Sequence, residues 1–239
     1  MEKRGNNAMK NLTRKMITAG MAATMAASLG IAANAEEASY KVGICQLIQH
    51  EALDAATQGF QDALTEKLGD RVEFDVQNAS GESVNCSTII NGFVSDQVDL
   101  ILANATGALQ AAVAGTSDIP ILGTAVTDYA TALDIDDWTG TVGGNVSGTS
   151  DCAPLDQQAA MILELVPEAK TVGMLYCSAE PNSEYQVNVV TEALKELNPD
   201  LEIKNYTFAD SNDISSVATS ATECDVVYIP TDNTAANNT

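Results

Sequence analysis

Val98 to Asp128 reads VDLILANATGALQAAVAGTSDIPILGTAVTD. An apolar run (Val98, Leu100, Ile101, Leu102) leads to a small polar tip (Asn104, Thr106, Gly107) and an alanine-rich helical segment. A second apolar run (Ile119 to Leu122) then leads to a second polar tip (Thr124, Thr127, Asp128). Strands apolar on both faces belong to parallel sheets, because crossover helices cover both sides. The stretch is therefore predicted to be half of a doubly wound sheet, in which ligands lie outside the carboxyl ends of the strands. Asn104 to Thr106 and Thr127 to Asp128 should face one small molecule.

The same rhythm runs outward in both directions. Tyr40 to Leu47 reads as a strand and His50 to Leu68 as a helix, with Leu53, Thr57, Phe60, Leu64 and Leu68 on its buried stripe. Arg71 to Gln77 is predicted as a strand, and Ser80 or Ser83 can cap a helix burying Ile89, Ile90, Phe93 and Val94. Trp138 to Val146 is predicted as the last strand of a first lobe, and the small, polar segment Ser147 to Pro154 as the crossing to a second. There, helices are expected over Leu155 to Val166, Glu184 to Leu197 and Ser211 to Ala221, and strands over Thr171 to Tyr176, Leu201 to Phe208 and Asp225 to Ile229. The expected architecture is α/β: a signal peptide over residues 1–35, an N-terminal lobe over 36–146 and a second lobe over 147–239, each a parallel sheet flanked by helices. Ala235 to Thr239 offers no apolar face for the helix that Thr231 to Thr234 would open, so the second lobe reads as incomplete and the chain as truncated.

Lys10, Arg14 and Lys15 precede an apolar run from Met16 to Ala33 that closes on Ala33-Asn34-Ala35 before Glu36-Glu37, the order of a secretory signal peptide whose start is Met1 or Met9. Export to the periplasm or the cell exterior is the expectation. The whole chain carries a formal charge of −22; beyond residue 35 there remain 6 Lys/Arg against 32 Asp/Glu, a net charge of −26. So acidic a body repels phosphate backbones and anionic lipid, which argues against nucleic-acid and membrane-surface roles. The five cysteines (Cys45, Cys86, Cys152, Cys177, Cys224) are odd in number and lack zinc spacing. Buried free thiols are expected for Cys45, Cys177 and Cys224, with a Cys152 to Cys177 bridge left open.

Five tips share one design, an apolar strand followed by polar residues and a helix start: Gln46 to His50, Asn104 to Thr106, Thr127 to Asp128, Ser178 to Ser183 and Thr231 to Thr234. A helix start offers unpaired N–H groups and a positive dipole end, which suits a carboxylate, although the same side chains can simply cap their own helices. Dipole ends are worth at most ~2 kcal/mol each, against ~8 kcal/mol for micromolar affinity. Burying an apolar group of about 200 Å² adds ~5 kcal/mol. Carboxylate plus apolar body describes a hydrophobic amino acid, whose ammonium needs an acidic partner; Asp128, Asp232 and Glu180 stand at tips. No nucleophile elbow, HExxH or P-loop occurs, so neither catalysis nor a metal or cofactor is expected. The only histidine, His50, reads as a surface cap at a helix end.

The motifs KVGICQLIQHEALDAATQGFQDAL, ILANAT, ILGTAVTDY, GTSDCAPLDQQ, MLYCSAEPNSEYQ and VVYIPTDNT, in that order over residues 41–234, resemble the ABC-transporter substrate-binding proteins of the tryptophan/tyrosine type. That resemblance implies a two-lobed type I periplasmic-binding fold, a monomer that captures L-tryptophan or a related amino acid and hands it to a membrane permease. It implies ligand contacts at Gln46, Asn104, Ala105, Thr106, Thr127, Asp128, Ser178, Asn182, Ser183, Asp232 and Asn233. The sequence departs from the family pattern at His50-Glu51, where His-Pro is frequent, and in lacking a lipoprotein cysteine after the apolar run. Two alternatives are the ligand-sensing half of a transcription regulator, which shares the fold, and a secreted hydrolase using Asp128 or Asp232.

Overall fold

The computed structural model describes residues 39–238; the segment read from sequence as a signal peptide lies outside them. Five strands, β1 (Tyr40–Gln46), β2 (Val72–Asn78), β3 (Leu100–Asn104), β4 (Ile121–Val126) and β5 (Val146–Ser150), form a parallel sheet in the order β2-β1-β3-β4-β5. The chain crosses between them through α1 (Glu51–Leu68), α2 (Ser83–Ser95), α3 (Thr106–Gly115) and the single turn α4 (Tyr129–Ala132). The strand order reverses between β1 and β3, and the last residues of those strands, Gln46 and Asn104, are register partners. A ligand crevice is expected at such a switch point.

Both faces of this sheet are covered, as its apolar strands require. On one side Phe60 and Leu64 of α1 pack on Val42, Ile44 and Leu102. On the other, Ile89, Ile90 and Phe93 of α2 join Leu109 of α3 over Cys45, Ile101 and Ala103. Gly43 makes that second layer possible: a Cβ there would lie 2.6 Å from the Phe93 ring, so only a glycine lets α2 sit so close to β1.

The fifth strand is not where periodicity put it. Trp138 to Asn145 is turn and coil, because Gly143 and Gly144 take positive φ (79° and 61°) and fold Gly143 back onto Val146. The strand is instead Val146–Ser150, made of small residues. Its Gly148 packs so tightly against Gly123 and the Tyr129 hydroxyl that a Cβ would overlap both. The segment expected to leave the first sheet at Ser147 therefore completes it. Thr124, expected on a tip, is inside β4, whose pairing with β5 slips between Gly123 and Val126, where Ala125 takes φ 52°.

A second parallel sheet, in the order β7-β6-β8, comprises β6 (Thr171–Cys177), β7 (Glu202–Phe208) and β8 (Val226–Tyr228). Around it run α5 (Leu155–Leu165), α6 (Pro181–Leu197), α7 (Ile214–Ala221) and the single turn α8 (Asn233–Ala236). Its core joins Leu155, Ile162, Val172, Met174, Val190 and Leu194. Helix α6 starts three residues before the expected Glu184, with Pro181 in its first turn, where a proline lacks no bond the helix needs. All five cysteines are free: Cys45, Cys86 and Cys177 are buried and Cys152 is exposed, so the bridge to Cys177 is not formed. Among the described residues no helix is long and apolar enough to cross a membrane.

Candidate functional site

The carboxyl ends of the two sheets meet across a cavity of about 530 Å³, a size that suits a small organic ligand. From the first lobe, His50, Leu53 and Ala56 at the start of α1 line it, with Thr124 and Thr127 at the end of β4 and Thr149 and Asp151 at the end of β5. From the second lobe come Asn182, the run Ile229 to Asn233, and Ala235 and Ala236. A smaller cavity of about 320 Å³ lies beside it, bounded by Leu47, Ser83 and Gly107 on one side and Cys177, Glu180 and Asp210 on the other; Asn182 borders both.

Two buried carboxylates organise the second-lobe wall. Glu180 accepts from the Asn233 and Thr234 amides (2.9 and 2.8 Å), the Thr234 hydroxyl (2.8 Å) and the Asn233 and Asn182 side-chain amides (2.7 and 3.2 Å). Asp232 caps α8 by accepting from the Ala235 amide (2.8 Å), while its other oxygen accepts from the Cys177 amide (2.7 Å) and the Ser183 hydroxyl (2.8 Å). Burial, and after it the charge of Glu180, raises the Asp232 carboxyl above its ordinary range. Charge left in a buried place needs donors, and these two groups consume nearly every donor the Pro181 and Asp232 tips supply. The result ties α6, α8 and β6 into one rigid wall.

The first-lobe wall is organised by the neutral side chains of Gln46, Thr57 and Asn104. Gln46 donates to Asp54 (2.7 Å) and the Ile48 carbonyl (2.9 Å) and accepts from the Thr57 hydroxyl (2.7 Å), while Asn104 donates to the Leu53 carbonyl (2.8 Å) and Thr57 (2.9 Å). These bonds pin the start of α1 to the ends of β1 and β3. The buried Asn104 Oδ1 has no hydrogen-bond partner among the described residues. Ala105 turns the chain from β3 into α3 at φ 90°, a conformation unfavourable for a residue with a Cβ and typical of functional junctions. Among the described residues a side-chain hydrogen bond joins His50 Nε2 to Asn233 Oδ1 across the gap, at 3.2 Å. Because Asn233 already donates its Nδ2 to Glu180, its Oδ1 accepts and His50 donates. His50 occupies the N-cap position of α1 but makes no capping bond, so the surface-cap reading gives way to a contact between lobes.

The family profile described as "ABC transporter substrate binding protein" matches residues 41–239. This chain belongs to that family. A curated relative, the tyrosine-binding protein of Clostridioides difficile (strain R20291), is 39% identical over 196 residues, which make up 80% of this chain and 56% of the relative; the chain thus spans little more than half that protein's length. Among solved structures, an ABC domain in complex with L-Trp from Streptococcus pneumoniae is 33% identical with a TM-score of 0.77, covering 84% of this chain and 68% of that one. A ligand-free, open substrate-binding protein with adhesive properties from Clostridium difficile is 36% identical with a TM-score of 0.54, covering 83% and 68%. The fold is the two-lobed type I periplasmic-binding fold.

In this substrate-binding protein the sequence-derived residues divide by position. Thr127, Asn182, Asp232 and Asn233 line the larger cavity. Asn104, Ala105, Thr106 and Ser183 are buried among their own supports, Gln46 faces a separate surface hollow, and Ser178 is exposed, bonded to the Phe208 carbonyl. Asp128 caps α4 by accepting from the Thr131 amide at 2.7 Å. Sequence reasoning named neither Thr149 nor Asp151. Both lie at the end of β5, and the rule that found the other tips reaches them once that strand is placed at Val146–Ser150.

Proposed function

We propose that this chain is the solute-capturing component of an ABC importer and that its ligand is a hydrophobic, in particular an aromatic, amino acid, held between the lobes and released unchanged to a permease. The observation that carries the proposal is the larger cavity, bounded by both lobes and lined by Leu53, Ala56, Ala125 and Ile229 together with hydroxyls and the polar side chains of His50, Asp151, Asn182, Asp232 and Asn233. The tyrosine and L-Trp ligands named for its relatives support the choice of aromatic side chains. Burying a ring of about 200 Å² at roughly 25 cal/mol/Å² supplies ~5 kcal/mol. The carboxylate sits at the start of α1, where Ala52 and Leu53 line the cavity and the first-turn amides have no side-chain cap. His50 stands beside it.

In this reading Thr127, Asn182, Asp232 and Asn233 border the ligand. Gln46, Asn104, Ala105, Thr106, Asp128, Ser178 and Ser183 hold the tips in place. Lobe closure around the ligand is the working step, with the His50 to Asn233 bond as part of the closed state. The protein acts as an exported monomer, consistent with the N-terminal segment and with a net charge that disfavours nucleic acid. Differential scanning fluorimetry of the whole chain against the twenty amino acids tests the proposal. A stabilising shift confined to aromatic or large aliphatic amino acids is expected, and equal responses to charged and apolar amino acids would overturn it.

A further inference from the structure

We propose that Asp151, on the tip after β5, takes the ammonium of the captured amino acid, and that Thr127 positions its carboxylate. This rests on the reading of the larger cavity as an amino-acid site and assigns the group that makes the site selective for a zwitterion. An ammonium drawn into an apolar cavity needs an anion with free acceptor capacity. Glu180, Asp232, Asp128 and Asp151 all stand at strand tips, and their hydrogen bonds separate them. Glu180 is saturated by five donors from the second lobe. Asp232 spends both oxygens on Cys177, Ser183 and Ala235. Asp128 caps the Thr131 amide and is not among the residues lining the cavity.

Asp151 differs on each count. It lines the cavity together with Thr124, Thr127 and Thr149. Its main chain is fixed to the end of β4 by the bond from its amide to the Val126 carbonyl (3.1 Å), and Ser150 donates to the Thr127 carbonyl (2.8 Å), so the two tips are locked together. Thr127 lines the cavity with it and partly offsets the desolvation of its carboxyl, and about four acceptor positions on a carboxylate leave room for an ammonium. The residue stays solvent-accessible, yet the surrounding protein desolvates its carboxyl enough to raise it above the ordinary range. An incoming cation would reverse that. Among the described residues lining the cavity His50 is the only basic one, and it belongs to the α1 start on the side assigned to the ligand carboxylate.

The test compares an amino acid with the same molecule lacking its ammonium. Isothermal titration of the whole chain with L-tryptophan and indole-3-propanoate, and with L-tyrosine and 3-(4-hydroxyphenyl)propanoate, gives the ratio of affinities for each pair. In Asp151→Asn the amino acid should bind roughly 10- to 100-fold more weakly, the range of a charge-assisted bond, while the propanoate binds at least as well as in the wild type. Thr127→Val, which keeps the carboxylate but frees it to move, should lower the same ratio by a smaller factor. It keeps the inference falsifiable if the first variant fails to fold. An unchanged ratio in folded Asp151→Asn overturns the role of Asp151, and an unchanged ratio in folded Thr127→Val overturns its positioning by Thr127. A wild-type chain that binds neither amino acid overturns the reading of the cavity itself, and the two failures are told apart by whether they arise in the variant or the parent.

Discussion

Replacing Ala56 by phenylalanine places a ring inside the space assigned to the ligand. Ala56 lines the larger cavity from the second turn of α1 and is half-buried, so its side chain has room to grow only into the gap between the lobes. If a ligand ring of about 200 Å² is worth ~5 kcal/mol there, displacing half of it costs ~2.5 kcal/mol, a loss of affinity of about 60-fold, and displacing all of it a loss of more than three decades. The folded protein loses little, because the lower helix propensity of Phe, about 0.5 kcal/mol, is offset by the area its own ring buries. Titration calorimetry with L-tryptophan and L-tyrosine reads the first quantity and thermal denaturation the second. A variant with unaltered melting temperature and unaltered affinity would show that the ligand lies elsewhere, and the reasoning about the cavity would be wrong.

Amino-acid affinity should depend on pH through Asp151: binding is complete while the carboxylate is ionised and falls as pH drops through its raised value. The loss should therefore begin above the ordinary aspartate value of 3.8, and titrations from neutral to acid pH should show it in the wild type and not in Asp151→Asn. Without ligand the sign for stability is opposite. Asp151 and Asp232 bind protons more tightly folded than unfolded, so their contribution to stability is full below 3.8 and fades as pH rises through the raised values; urea titrations of Asp232→Asn against wild type at two pH values check this. Phe93→Ala, which empties the layer between α2 and Gly43, should cost about 3–5 kcal/mol in denaturant unfolding. Asp128→Ala should cost about 1 kcal/mol as a lost cap of α4, and an unchanged midpoint would deny it that role.

The parallel sheets were legible because burial wrote them into the sequence. Val42 to Cys45, Leu100 to Leu102 and Val172 to Tyr176 are continuous apolar runs, and their tips followed from where those runs end. The strand β5 carries no such signal. All but its first residue are exposed, and its composition is dictated by close approach to Gly123 and Tyr129 rather than by a core, so a reader of periodicity passes over it. The omission propagated to function: with the strand misplaced, Asp151 reads as hinge. Likewise the polar letters of Gln46, Asn104, Ser183 and Asp232 marked the right ends of the right strands. Local spacing cannot say that Thr57, eleven residues from Gln46, would take up its carbonyl, or that Cys177 would donate to Asp232 from 55 residues away. His50 was read from its place at a helix start; its partner Asn233 is 183 residues distant and becomes a neighbour only when the lobes come together.

The central claim is that one amphiphilic amino acid occupies the space between the lobes. Isothermal titration of the whole chain with L-tyrosine and L-tryptophan at neutral pH and several temperatures measures it directly. A single saturable site of one ligand per chain is expected, with a negative heat-capacity change, the mark of apolar surface leaving water. Absence of saturable binding for both ligands, or saturable binding without that heat-capacity change, would contradict it.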